Sequence, residues 1–318
     1  MSAHTAFAPL FPGQGSQRPG MGRDLAERYP LARRTFEEAD EILAFPLSRL
    51  MWDEERKDEL NDTLNTQPAL YVHSLAAYRV LSELAPDLSV VAMAGHSLGE
   101  LSALAASGAL TFADGLRLVR RRGELMKRAG EIAPGGMAAI LGLDIPTLER
   151  VCEEASTEEE IVQVANDNCP GQVVISGARA ALMRAMDLAK AAGARRVIPL
   201  NVSIAAHSPL MAAVQDEFAR AVDETPVVAP SVPVVGNVHA RFLETPEAVR
   251  SDLRAQLTSR VRWTDSVRYL RSLGVTMFLE VGSGNVLCGL LRRIDPEATA
   301  MPLGTPEDFA SFVEVLSR

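Results

Sequence analysis

Gly95-His96-Ser97-Leu98-Gly99 sits between an apolar run, Val90 to Ala94, and an alanine-rich stretch from about Leu101 to Ser107. Strand, tight turn and helix in that order leave the backbone few options. The glycines flank the serine because side chains there would clash in so sharp a turn. A serine at the tip points away from the backbone. The helix that starts at it aims N–H groups and a positive dipole end at any negative charge developing nearby. The Leu98 N–H is then a natural oxyanion donor. This context predicts an α/β fold that presents Ser97 as a nucleophile.

The rest of the chain keeps the same alternation of strand-like and helix-like runs. Thr5 to Phe11 reads as a strand ended by Pro12-Gly13, and Val275 to Val281 as one ended by Gly282-Ser283-Gly284, with a short helix near Val286 to Arg293. The middle has its own order. Strand Met137 to Leu143 precedes a helix from Pro146 to Ser156. Strands Ile161 to Ala165 and Val173 to Ser176 flank a turn over Asn166 to Gly171. A helix from Ala180 to Ala192 and a strand from Arg195 to Leu200 follow. That β-α-β-β-α-β order is ferredoxin-like. It predicts an inserted subdomain over 134–199, with 1–133 and 200–318 forming the catalytic body. The joints fall near Ala133-Pro134-Gly135-Gly136 and near Pro199 to Ser203.

A serine needs a base to attack well at neutral pH. Of five histidines, His4 lies in a fraying end, His73 in the middle of a helix, and His239 in a loop after a strand. His96 adjoins the serine, and consecutive residues at an elbow point apart. His207 lies in a loop just before Ser208-Pro209, a helix start with Ser208 as N-cap. On the residues alone, a loop histidine satisfied by backbone groups is an equal alternative.

Composition excludes several classes. With 47% hydrophobic and 23% charged residues the 318-residue chain is an ordinary globular one. A net charge of −9, without basic-aromatic interleaving, argues against a nucleic-acid partner. No apolar run is long enough to span a bilayer, and Met1 to Phe11 do not read as a signal peptide. Three scattered cysteines, with no CxxC, suggest neither a disulfide framework nor a zinc site. A reduced, cytoplasmic setting is expected. Gly13-x-Gly15 and Gly282-x-Gly284 do not complete a dinucleotide fingerprint.

Several motifs in one order resemble the malonyl-CoA:acyl-carrier-protein transacylase family of fatty-acid and polyketide synthesis. They are Phe11-Pro12-Gly13-Gln14-Gly15-Ser16-Gln17, Gly95-His96-Ser97-Leu98-Gly99-Glu100, and Arg122-Gly123-x-Leu125-Met126. They continue with Asn168-x-Pro170-Gly171-Gln172-Val173-Val174-Ile175, His207-Ser208-x-x-Met211, Gln256-Leu257 with Val261-x-Trp263-Thr264, and Gly282-Ser283-Gly284-x-x-Leu287. The resemblance implies an α/β-hydrolase-like body carrying an inserted ferredoxin-like subdomain. It implies Ser97 as nucleophile, His207 as base, and the N–H groups of Gln14 and Leu98 as oxyanion hole. The Gln256 carbonyl would hold the histidine, a role for which its side chain need not matter. Arg122 would bind the malonyl carboxylate, and Asn168 and Gln172 would contact substrate. The implied partners are malonyl-CoA and acyl carrier protein, whose phosphopantetheine accepts the acyl group. No metal or other cofactor is implied, and a free-standing monomer is expected.

Arg122 also has a physical case. A carboxylate entering a buried cleft loses hydration, and a guanidinium can replace it with two parallel charge-assisted hydrogen bonds. Three arginines in a row, Arg120 to Arg122, are more often a solvated helix face; Gly123-x-Leu125-Met126 singles out Arg122, leaving Arg120 and Arg121 to solvent or phosphate. The size markers are mixed. By resemblance, Leu98 suits malonyl, while the small Ala206 before His207 leaves room for a branched unit such as methylmalonyl. A serine hydrolase of acyl thioesters is the rival activity, and a non-catalytic scaffold relative a more distant one. The arginine pairs Arg195-Arg196 and Arg292-Arg293 suggest a basic docking patch for an acidic carrier protein.

Overall fold

The computed structural model describes residues 5–317; His4 lies outside them. Among the described residues the strands are β1 (Phe7–Phe11), β2 (Met93–Gly95), β3 (Gly135–Leu141), β4 (Val162–Cys169), β5 (Gln172–Ala178), β6 (Arg196–Pro199), β7 (Val234–Val235), β8 (Met277–Val281) and β9 (Thr299–Leu303).

Five of them form a parallel sheet in the order β7-β2-β1-β8-β9. A parallel sheet is covered on both faces, so its central strands are largely apolar. β1 is buried at all five positions. Its side chains alternate: Phe7 and Phe11 enter one core, Ala8 and Leu10 the other. The long helix Thr63–Leu84 packs in the first core beside helix Phe112–Ile132. Trp263, Val267 and Leu270 of helix Trp263–Ser272 fill the second. Strand order reverses about β1, the kind of switch point beside which open parallel sheets bind ligands at the carboxyl ends of their strands.

The other four strands form an antiparallel sheet in the order β4-β5-β3-β6. Helices Ile145–Ala155 and Arg179–Ala191 bury Leu148, Val151, Ala181 and Ala185 against it in a third core. Counted within the unit, the order is 2-3-1-4, a ferredoxin-like arrangement spanning 135–199. It is tied to the body along β4. Asp167 N donates to Val261 O at 3.0 Å, Val261 N donates to Ala165 O at 2.8 Å, and Thr264 Oγ1 donates to Asp167 Oδ1 at 2.6 Å.

One expectation needs correction. The polar Asn166 to Cys169 segment is strand, not turn; only Pro170 and Gly171 turn. β4 carries two irregularities, at Val164/Asn166 and Asp167/Cys169, which keep a polar stretch paired with β5. The helix after the nucleophile runs from Leu98 to Ala106, with Ser97 at its N-cap position. Among the described residues no helix is long and apolar enough to cross a membrane, and Cys152, Cys169 and Cys288 are buried and free.

Candidate active site

Ser97 ends the β2 turn with φ 53° and ψ −105°, a conformation non-glycine residues rarely adopt. The turn is tight enough to forbid side chains on either flank. A Cβ on Gly95 would sit 1.9 Å from Gly99 C, and one on Gly99 would sit 2.0 Å from Phe11 O. Such strain persists only where neighbours hold it. Here Ser97 N donates to Asn237 Oδ1 at 2.7 Å, and Gln256 Nε2 donates to Ser97 O at 3.0 Å. Ser97 occupies the N-cap position of helix Leu98–Ala106, yet its side chain makes no cap bond. The hydroxyl is turned to His207 instead.

Ser97 Oγ lies 2.7 Å from His207 Nε2. His207 Nδ1 faces two carbonyls, Gln256 O at 2.9 Å and Ser259 O at 3.1 Å. Only a protonated Nδ1 can serve them, so Nε2 is left to accept the serine proton. His207 is also in a left-handed conformation, φ 57°, and its carbonyl accepts from Gln163 Nε2 at 2.8 Å. Burial first, and the Arg122 charge second, push the imidazole down to about 3. It is neutral at pH 7.

Arg122 is 1% exposed. Its Nη2 donates to Ser97 Oγ at 3.1 Å and to Gln256 Oε1 at 2.9 Å, and its Nη1 donates to Gln67 Oε1 at 2.8 Å. Burial pushes the guanidinium down to about 10, opposed by Glu100; it stays charged at pH 7. Among the described residues Nε has no partner and Arg122 forms no ion pair. Its neighbours differ. Arg120 donates to Leu64 O and Asn65 Oδ1, and Arg121 pairs with Glu217.

A cavity of about 200 Å³ joins these groups, and Gln14, Leu98 and Asn168 line it with them. Among the described residues neither the Gln14 nor the Leu98 N–H donates to a protein carbonyl. Asn168 Oδ1 faces His96 Nε2 at 2.8 Å, so His96 is turned to the small sheet and away from the Ser97 hydroxyl. Gln172 lies in an adjoining space of about 140 Å³, and its Oε1 accepts from Arg293 Nη1 at 2.5 Å.

The Gln256 carbonyl faces the histidine ring as expected, and its side chain in addition links Arg122, Ser97 O and Glu100 Oε2. Sequence reasoning also missed Asn237, Gln67, Gln163 and Glu100 as site residues. Only Glu100 left a trace, as the last member of the serine motif.

The arrangement can form and break an acyl ester on Ser97, with a buried cation awaiting a negative group on the acyl chain. Comparisons agree in kind. The family described as "Acyl transferase domain" matches residues 9–294. A malonyl CoA-acyl carrier protein transacylase of Escherichia coli (strain K12) is 44% identical over 311 residues, 98% of this chain and 100% of that one. The protein of that name from Bacillus subtilis (strain 168) is 42% identical over 314 residues, 98% of each chain. Among solved structures, the malonyl CoA-acyl carrier protein transacylase of Coxiella burnetii superposes with TM-score 0.95 at 37% identity, covering 99% of this chain and 98% of that one. A structure described as a type II PKS acyl-carrier protein in complex with its malonyl-transacylase gives TM-score 0.93 at 41% identity, covering 98% and 100%.

Proposed function

The chain belongs to the acyl transferase domain family, and from that premise we propose that it moves a malonyl group from malonyl-CoA to the phosphopantetheine thiol of acyl carrier protein. The observation that carries the reading is Arg122: a buried guanidinium in no ion pair among the described residues, 3.1 Å from the nucleophile.

The geometry supports the following mechanism. His207 Nε2 takes the Ser97 proton as Oγ attacks the thioester carbonyl. The developing oxyanion is received by the Gln14 and Leu98 N–H groups, each worth about 3–4 kcal/mol in comparable sites. The C–S bond breaks, the proton passes from His207 to the leaving thiolate, and CoA departs as a thiol. A malonyl-serine ester remains. The carrier's thiol then gives its proton to His207 and attacks the ester; the serine leaves and recovers a proton from His207. This is ping-pong chemistry. It needs no group beyond the two thiol carriers.

Arg122 has two effects. It binds the malonyl carboxylate, and that pairing offsets the charge that depresses His207. The base therefore strengthens when the correct acyl group arrives. An acetyl group offers no such relief and leaves the cation unmatched. We assign the enzyme to the cytoplasm, in keeping with three unbridged cysteines.

Malonyl-CoA incubated with and without carrier protein tests transfer against hydrolysis. Transfer predicts malonyl-carrier in the first mixture and little free malonate in the second. Free malonate released equally in both would make the chain a hydrolase.

A further inference from the structure

Two buried acids beneath the serine turn are not used by the mechanism above. Glu100, from helix Leu98–Ala106, is 0% exposed; Asp252, from helix Pro246–Gln256, is 4% exposed. Both acids lie against the Gly236-Asn237 segment: Asn237 N donates to Glu100 Oε2 at 3.1 Å, and a Cβ on Gly236 would lie 2.7 Å from Asp252 Oδ1. Each acid also has one buried oxygen without a donor among the described residues, Glu100 Oε1 and Asp252 Oδ2, and two neighbouring carboxylates that are both ionised have no hydrogen to offer each other.

We propose that Glu100 and Asp252 share one proton and act together as a single buried counterion for Arg122, linked to it through the Gln256 amide. A proton on Glu100 Oε1, donated to Asp252 Oδ2, satisfies both atoms at once. It leaves Glu100 Oε2 to accept from Gln256 Nε2 at 2.9 Å and from Asn237 N at 3.1 Å. Asp252, slightly less buried than Glu100, is the better anion of the two. Burial and the neighbouring acid raise Glu100 well above the ordinary carboxylate range. Gly236 makes room for the arrangement: a Cβ there would lie 2.7 Å from Asp252 Oδ1.

The charges then balance. Among the described residues Arg122 is the one arginine or lysine this deeply buried, and Glu100, Asp252 and Glu280 are the buried acids. Glu280 is engaged elsewhere, accepting from Cys288 N at 2.7 Å. The charged or titratable groups facing the pair are Arg122 from helix Phe112–Ile132 and the exposed His239 after β7. One cation and one shared-proton pair sum to zero. The pair also fixes the Gln256 amide, with its NH₂ toward the acid and its oxygen toward Arg122. Glu100 is thus a positioning residue, and the malonyl carboxylate competes with this pair for Arg122.

The inference rests on the malonyl reading, and binding to a Ser97→Ala parent separates the two. Calorimetric titration of that parent with malonyl-CoA and acetyl-CoA tests the reading: no preference for malonyl-CoA defeats it. Glu100→Gln, Asp252→Asn and the two together are then added. Each single change leaves one carboxyl to carry the charge, so it shifts binding far less than the pair does. The pair removes the counterion and tightens malonyl-CoA binding about tenfold, with acetyl-CoA unmoved. Mere structural damage would weaken both ligands. Malonyl-CoA binding unchanged or weakened relative to acetyl-CoA overturns the inference. Should the combined variant not fold, infrared spectra of the wild type at neutral pH decide. A protonated-carboxyl band that disappears in Glu100→Gln supports the shared proton, and its absence from the wild type overturns it.

Discussion

Gln256 performs two tasks with different atoms: its carbonyl holds His207, and its amide joins Arg122 to the serine turn. Gln256→Ala keeps the first and deletes the second. Hydrogen bonds to charged groups contribute about 1.5–3 kcal/mol, so kcat/KM for malonyl-CoA should fall roughly 10- to 100-fold. A loss under twofold would show the amide to be idle. The second residue-scale prediction concerns pH. Burial and Arg122 hold His207 down to about 3, so the base stays neutral as pH falls through the ordinary histidine value near 6.5. The acid limb of kcat/KM for malonyl-CoA should lie below pH 5; a limb at 6.5 would contradict the buried geometry. The stability consequence has a definite sign. Between pH 6.5 and the depressed native values, the unfolded chain takes up protons that native His207 and His73, the latter pushed down to about 4, refuse. Folding stability should therefore be intact above pH 6.5 and decline as pH falls toward 4.

At the scale of elements, the serine turn was legible because its signal is local. Apolar run, glycine, serine, glycine and alanine-rich helix lie within about twenty residues, and each is demanded by the same geometry. The polar supports carry no such signal. Asn237 and Gln256 meet Ser97 across 140 and 159 residues, and a single amide leaves no periodicity in a sequence. The Asn166 to Cys169 segment was misread for a related reason. Its polarity looks like a turn, but one side of the strand faces the catalytic cavity, where Asn166 and Asn168 line the wall. Glycines test the account of the turn. Gly99→Ala would press a methyl group against the Phe11 carbonyl and should destabilise the fold by about 3 kcal/mol or more. Gly289, exposed within helix Val286–Ile294, has open space around it. Gly289→Ala should stabilise by about 0.5–1 kcal/mol. Denaturant melts of the two variants would check both signs; equal effects would contradict the steric argument.

At the scale of the molecule, the cavity exists because two separately cored units meet. The large sheet supplies Ser97, and the small sheet supplies Met137, Asn166, Asn168 and Val174. The separate antiparallel sheet was readable from the β-α-β-β-α-β order, whereas the junction through Val261 was not, since it is a pairing between distant backbones. The exposed arginines Arg195 and Arg293 approach the same corner: Gly142 packs by Arg195, Gly171 by Arg293, and Gly142 N donates to Gly171 O at 3.0 Å. We propose this corner as the surface that meets the carrier protein. Arg195→Glu should raise KM for the carrier several-fold, more at low salt than at high, with KM for malonyl-CoA unmoved. An unchanged carrier KM would remove the corner from the interface.

The central claim is that Ser97 itself carries the acyl group. Intact-mass measurement after brief exposure to malonyl-CoA tests it directly. Wild type should gain one malonyl unit and lose it when phosphopantetheine-bearing carrier protein is added, and Ser97→Ala should gain none. An adduct that persists in Ser97→Ala, or a wild type that turns over substrate without ever carrying one, would contradict it.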